Sequence, residues 1–365
     1  MIGDPELLAL HREVTSIASV SGEEAALADR LEAWMAARGW TPRRIGNSLL
    51  VLLGRGPLLL LDTHLDTVPP AAGWTRDPLA VTVENGRVYG LGANDAKASV
   101  AAMLGAVTAF ESETLDITLG LALVEAEETR GTGTEAVLAE LERQGRRPAA
   151  AVVGEPTGLE VAVAQKGLLI LELRAHGDTC HAAHARTLGA RNAIRGLARD
   201  LAVLDRLELG PEHPFLGPTT CEPTLIEGGT ARNVLPGEAS VVLDLRTTPA
   251  VGHDALIARI GEALRDSELV VVSRRLEPRE TDPEAPVVRA ALRARPGARV
   301  YGSTTMSDLV FLGDIPAVKC GPGQSERSHT PDEFVLEREI VEGRHFYVEH
   351  IRHYRELLAA DPATA

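Results

Sequence analysis

Strand-like apolar runs alternate with helically spaced segments along most of this chain, and that alternation constrains the fold more than any other feature. Runs at Ser48 to Leu53, Leu58 to Leu61, Ile117 to Val124 and Ala149 to Val153 read as strands. Between them, the small apolar stretch Ala96 to Phe110 reads as a buried helix and Thr132 to Arg143 as another. Two further helices are expected over Pro5 to Arg38, broken near Ser19 to Glu23, where Ser-Gly-Glu-Glu resembles a helix start. Strands alternating with helices predict an α/β layer architecture.

From Gly167 the pattern changes. Strand candidates at Leu168 to Ala175, Thr224 to Glu227, Ala239 to Arg246 and Leu269 to Arg274 combine with helix candidates at Ala190 to Leu204 and Asp254 to Arg265. Their βαββαβ order fits a compact α+β insertion. After the Pro-rich passage Glu277 to Pro286 alternating elements resume and close with an amphipathic helix over Glu337 to Leu358. A chain of 365 residues exceeds what one core usually supports. We therefore expect one domain from 1–166 and 281–365, interrupted by a second at 167–280.

The 52 acidic against 37 basic residues leave a formal charge of -15, which would repel a phosphate backbone and argues against nucleic acid as a partner. The N-terminus has no basic segment followed by a long apolar run, and the apolar run from Ser48 to Leu61 is interrupted by Gly54, Arg55 and Gly56, so neither a targeting peptide nor a membrane span is expected. Three widely spaced cysteines, Cys180, Cys221 and Cys320, build no disulfide framework or zinc-finger spacing. The expected compartment is the reducing cytoplasm.

Chemistry concentrates where the apolar runs end. His64 and Asp66 lie two apart after the run to Leu61, so in extended chain they face the same way. His64 could hold a metal while Asp66 orients its other ring nitrogen; two polar residues on a surface turn is the plain alternative. In GLGANDAK, Gly90 and Gly92 resemble a dinucleotide-binding turn, but Asp95 would repel a pyrophosphate, which leaves a cation ligand or a helix cap. Glu125, Glu127 and Glu128 crowd another strand end, where adjacent carboxylates are costly unless a cation offsets them. If the chain stays extended, Glu127 and Glu128 point apart, so one can bind a metal and the other act as a base; a solvated acidic loop is the alternative. Glu155 follows a further strand, and His329 sits in a turn near the C-terminus. Nitrogen and oxygen donors without thiolate suit zinc, with cobalt or manganese as substitutes. His181 and His184, in the inserted segment, are candidate donors to a reacting carbonyl, or else surface or helix-capping histidines. Cys180 lacks an evident base and reads as a small hydrophobe.

Taken in order, HLDTVP at His64, GLGANDAK at Asp95, EAEE at Glu127 and Glu128, GEPT at Glu155 and SHTPDEF at His329 make the sequence resemble the M20 metallopeptidase and deacylase family over nearly its whole length. The resemblance implies a zinc-peptidase-like α/β catalytic domain carrying an inserted ferredoxin-like lid that also dimerises. It implies two zinc ions, replaceable by cobalt: Asp95 bridging, His64 and Glu155 completing one site, Glu128 and His329 the other. Glu127 would be the general base and Asp66 the residue that orients His64. His181 would reach the partner subunit's site, and Asn233 and Arg246 would hold a substrate carboxylate. The bond after Asp95 would be cis. Ala126 and Ala98 depart from the family pattern without removing a ligand. Passages such as VGEPTGLEVAVAQKGL and GGTARNVLP are most similar to the acetylornithine deacetylase branch. That branch implies a homodimer hydrolysing N-acetylornithine in arginine biosynthesis, with acetyl-lysine, acetyl-citrulline, succinyl-diaminopimelate or dipeptides as other substrates.

Overall fold

The computed structural model describes residues 1–360; residues 361–365, at the end of the expected catalytic segment, lie outside the described residues. Helices α1 (Asp4–Ser16) and α2 (Ala25–Ala37) lead into strands β1 (Arg43–Ile45), β2 (Ser48–Gly54) and β3 (Leu58–His64). There follow β4 (Thr82–Glu84), β5 (Arg87–Tyr89), α3 (Lys97–Val107), β6 (Thr118–Val124), α4 (Thr132–Arg143), β7 (Pro148–Val153) and β8 (Val161–Gln165). The next stretch holds β9 (Gly167–His176), α5 (Ala185–Leu188), α6 (Ala193–Leu204), β10 (Thr220–Gly228), β11 (Glu238–Thr247), α7 (His253–Ala263), β12 (Ser267–Leu276) and β13 (Arg279–Glu280). The chain ends through α8 (Pro286–Ala294), β14 (Val300–Ser303), β15 (Ala317–Lys319), β16 (Phe334–Leu336) and the long α9 (Glu337–Ala360). It divides into two compact units, one of Met1–Val163, Thr281–Tyr301 and Ser307 onward, the other of Ala164–Glu280 with Gly302–Met306.

In the first unit the sheet runs β1-β2-β6-β3-β7-β15-β8. Strand β3 is parallel to β6 and β7, and β15 is parallel to β7, whereas β2 runs against β6. Every residue of β3 and β6 is buried, the apolar runs as strands covered on both faces require and Asp62, Thr63 and His64 with them. Helix α3 is buried over its whole length and has no polar face to offer water. Leu50, Leu60, Val124, Val137, Leu141, Val153, Leu309 and Ala317 form one continuous core. Because β3, β6 and β7 are parallel, the segments that follow them all leave from one edge of the sheet.

The second unit is an antiparallel sheet ordered β10-β11-β9-β12, with the βαββαβ succession that its sequence predicts. Ala193, Leu197, Leu256 and Ile260 of its two helices pack on Leu169, Leu171, Leu173, Val241, Leu243 and Leu245. The helix expected over Ala190 to Leu204 is α6, which starts three residues later, and the short α5 before it is an addition. Gly189, in the left-handed region, ends α5, and the Asn192 side chain accepts from Arg195 N to cap α6. Among the described residues no helix is long and apolar enough to cross a membrane.

Candidate metal centre

His64 is the last residue of β3, and its side chain is buried. Its Nδ1 lies 2.9 Å from the carbonyl oxygen of Asp66. A carbonyl only accepts, so Nδ1 carries a proton and Nε2 is the ring atom turned toward the carboxylates: 3.2 Å from Asp95 Oδ1 and 3.7 Å from Glu155 Oε1. Asp66 thus engages the Nδ1 of His64 through its main chain, and its carboxylate stands 3.5 Å from the same nitrogen. That carboxylate accepts instead from Glu127 N at 3.0 Å, Glu128 N at 3.1 Å and Ser21 Oγ at 2.6 Å.

The chain does not stay extended through Glu127 and Glu128. Immediately after β6, Ala126 takes a left-handed φ of 59°, and the N–H groups of Arg130 and Gly131 both return to its carbonyl. The two glutamates therefore sit on a turn whose first three N–H groups are each accepted by a carboxylate. Ala126 N donates to Glu24 Oε1 at 3.2 Å, and that oxygen also accepts from Gly22 N at 2.9 Å. The Ser21–Glu24 segment leads straight into α2 at Ala25, the helix start that the sequence suggests; without capping α2, its side chains bond to Asp66, Gly22 N and Ala126 N.

Asp95 precedes α3, joined to Ala96 by a cis bond as the family resemblance implies. The N-cap of α3 is Ala96 with no side-chain cap, so Asp95 is free of the capping role. One of its oxygens faces His64; the other, Oδ2, is 3.8 Å from His329 Nε2. His329, half-exposed on a left-handed turn, places Nε2 2.9 Å from Glu128 Oε1. Glu155 follows β7 and Gly154, where an added Cβ would come within 2.6 Å of the Met103 methyl. The donor atoms of His64, Glu127 and Glu155 lie within 4.8 Å of one another, as do those of His64, Asp95 and Glu128. The structure thus brings together seven residues singled out from sequence, His64, Asp66, Asp95, Glu127, Glu128, Glu155 and His329, and Glu127 stands close enough to count among the donors.

Burial, and then the charge of Glu155, push the Glu127 carboxyl well above the usual range. Burial likewise raises Glu155 to about 7. Against its own burial, hydrogen bonds to Asp66 and Asp95 and the charges of Glu155 and Glu127 hold His64 well above an ordinary histidine. The bond to Glu128 raises His329 to about 9. A divalent cation among these groups favours ionised carboxylates and neutral imidazoles, and two histidines with four carboxylates offer hard donors of the right kind. The residues fit a two-metal group.

The remaining predicted residues belong to the second unit. Beyond β9 and β11 the antiparallel pairing continues, with Leu235 N donating to Cys180 O and Ala182 N to Asn233 O, so His181 and Asn233 lie on neighbouring segments. His181 does cap a short helical turn: its Nδ1 accepts from Ala183 N at 3.2 Å, which leaves Nε2 as the donor in the neutral ring. Arg246 is near the opposite end of β11, bound to Asp244 at 2.8 Å. The run from Glu238 to Arg246 spans about 27 Å at the strand rise of about 3.4 Å per residue. Residues missed from sequence include Glu24, Glu333 and the buried pair Asp62 and Asp308, the last raised well above a normal carboxyl by burial and by Asp62. Glu333 stood within SHTPDEF, and a carboxylate four residues past a candidate ligand was the available signal.

A sequence profile for peptidase family M20/M25/M40 matches residues 60–353. Succinyl-diaminopimelate desuccinylase of Bordetella petrii is 32% identical over 359 residues, covering 88% of this chain and 91% of the relative. Among solved structures, the aminopeptidase PepT of Bacillus cereus is similar with a TM-score of 0.80 at 20% identity, covering 97% of this chain and 99% of that one. A dinuclear metal-binding peptidase of the M20 family from Bacillus subtilis is similar at 0.72 and 15% identity, covering 98% and 99%.

Proposed function

The chain belongs to peptidase family M20/M25/M40 and is a metal-dependent hydrolase, and from that premise we propose that it cleaves the amide of an N-acyl amino acid, N-acetylornithine foremost. The observation that carries the reading is the placing of Glu127 beside His64 and Glu155 at one sheet edge: metal donors alone would serve a binding protein, whereas a base among them serves hydrolysis.

His64, Asp95 and Glu155 would hold one divalent cation and Asp95, Glu128 and His329 a second, zinc in the first instance with cobalt able to substitute. Bound there, the pair supplies Lewis acidity to the acyl oxygen and lowers the pKa of water. Glu127 takes the proton of the attacking water and returns it to the departing nitrogen, so that the amide and water give acetate and a free amine. Asp66 and Glu24 keep Glu127 in place by accepting the N–H groups of its turn. The Nε2–H of His181 donates to the developing oxyanion, and Asn233 and Arg246 bind the substrate carboxylate. A small substrate cannot bridge the opposite ends of the β11 ladder. This supports a homodimer in which His181 and Asn233 come from one copy and Arg246 from the other. Edge strand β10, with Leu225 67% and Ile226 66% exposed, is the apolar surface such a dimer would use. The cytoplasm is the proposed compartment.

Desuccinylation of succinyl-diaminopimelate is the second reading, favoured by the Bordetella petrii relative. Kinetics on N-acetylornithine, N-succinyl-diaminopimelate and a dipeptide panel, with zinc and cobalt supplied separately, decide between them. We expect the highest kcat/KM on N-acetylornithine; a preference for the succinyl substrate transfers the assignment, and a preference for dipeptides overturns both.

A further inference from the structure

Glu333 lies in the turn between His329 and β16 and is only 2% exposed. Three main-chain donors fill its carboxylate. Oε1 accepts from Asn94 N at 2.9 Å and Asp95 N at 3.0 Å, while Oε2 accepts from Gly92 N at 3.1 Å. Its own carbonyl accepts from Gly90 N at 3.1 Å. A second clasp joins the same two stretches of chain, with Asn94 Nδ2 donating to Gln324 O at 3.0 Å and Gln324 N to Asn94 Oδ1 at 2.9 Å. In this loop Gly92 has a φ of 72°, and an added Cβ would come within 2.5 Å of Thr67 Cγ2, so the loop has little room to settle elsewhere.

We propose that Glu333 is a positioning residue that locks the Gly92–Asp95 loop to the His329 turn, so that the two oxygens of Asp95 face His64 and His329 at once. This rests on the reading that Asp95 is a shared metal ligand. An ionised carboxylate makes stronger bonds to main-chain N–H groups than a neutral acceptor does, and its removal leaves three buried donors unpaired. Groups that hold a ligand in this way typically govern metal affinity by 10–100-fold.

The test titrates cobalt into the metal-stripped full-length chain, following its visible absorption, and measures amide exchange at residues 92–95 without metal. Glu333→Gln can keep the bonds to Asn94 and Asp95 but turns a donor toward Gly92 N–H, so cobalt should bind several-fold more weakly. Glu333→Ala should weaken it about 10–100-fold and speed exchange across the loop. Wild-type cobalt affinity in folded Glu333→Ala, even with a lower melting temperature, would make Glu333 merely structural and overturn the proposal. If that variant does not fold, wild-type affinity and exchange in Glu333→Gln do the same. Asp95→Ala, run in parallel, separates the two claims. If it still binds two cobalt ions, the ligand reading fails; if it loses cobalt while both Glu333 variants keep it, only the positioning role fails.

Discussion

Ala126 marks the point where the site departs from regular structure, because a left-handed backbone is disfavoured for any residue with a Cβ. Alanine bears that conformation better than a branched residue. Ala126→Gly should therefore leave stability equal or higher, whereas Ala126→Val should lower it by about 1 kcal/mol or more, read from urea unfolding; equal stability of the valine variant would contradict the turn. One residue on, Glu127→Gln keeps the shape but cannot accept a proton, so both metals should remain while turnover falls about a hundredfold or more. Metal analysis together with steady-state rates checks this, and a near wild-type rate would remove Glu127 as the base.

Elements that could be read from sequence are those whose own residues specify them. Strands β6 and β7 and the Leu58–Leu61 half of β3 are apolar runs, and α4 has a clear apolar face, so their place in an α/β layer follows from local pattern. Strand β15 is three residues long and exists because β7 pairs with it, and β16 pairs with β5 from far along the chain; neither has a pattern of its own. The same distinction holds at the site. Strand-end residues such as His64 and Glu155 stand out as motifs, whereas Glu24 and Glu333 act on main-chain N–H groups, so that even Glu333, inside SHTPDEF, shows its carboxylate in the sequence but not what it binds. The contact between α8 and α9 yields a pH prediction. His350 is fully buried, with Nε2 donating to Val287 O at 3.0 Å and, among the described residues, no partner for Nδ1, and burial lowers its pKa to about 4. Between about pH 6.5 and 4 the unfolded chain binds this proton and the folded chain does not, so stability falls as the pH drops through that window, by up to about 3 kcal/mol for this group. Replacing it by glutamine, which can still donate to Val287 O, should flatten the acid limb of stability against pH; an unchanged slope would show that His350 does not cause it.

For the whole molecule, the proposed dimer makes a prediction that neither unit makes alone. His181→Ala should retain metal and fold while losing roughly a hundredfold in turnover, as for loss of an oxyanion donor. Mixed with inactive Glu127→Gln chains, it should regain part of the activity, because one site of each hybrid would combine an intact Glu127 with an intact His181 from its neighbour. Confirmed hybrids without recovery would confine His181 to its own chain or remove it from the reaction. The account as a whole depends on metals held by His64, Asp95, Glu128, Glu155 and His329 serving amide hydrolysis, and one titration tests it most directly: zinc added back to metal-stripped protein while N-acetylornithine hydrolysis is followed. The account predicts no turnover without metal and recovery that levels off at two ions per chain; turnover that survives complete removal of metal would contradict it.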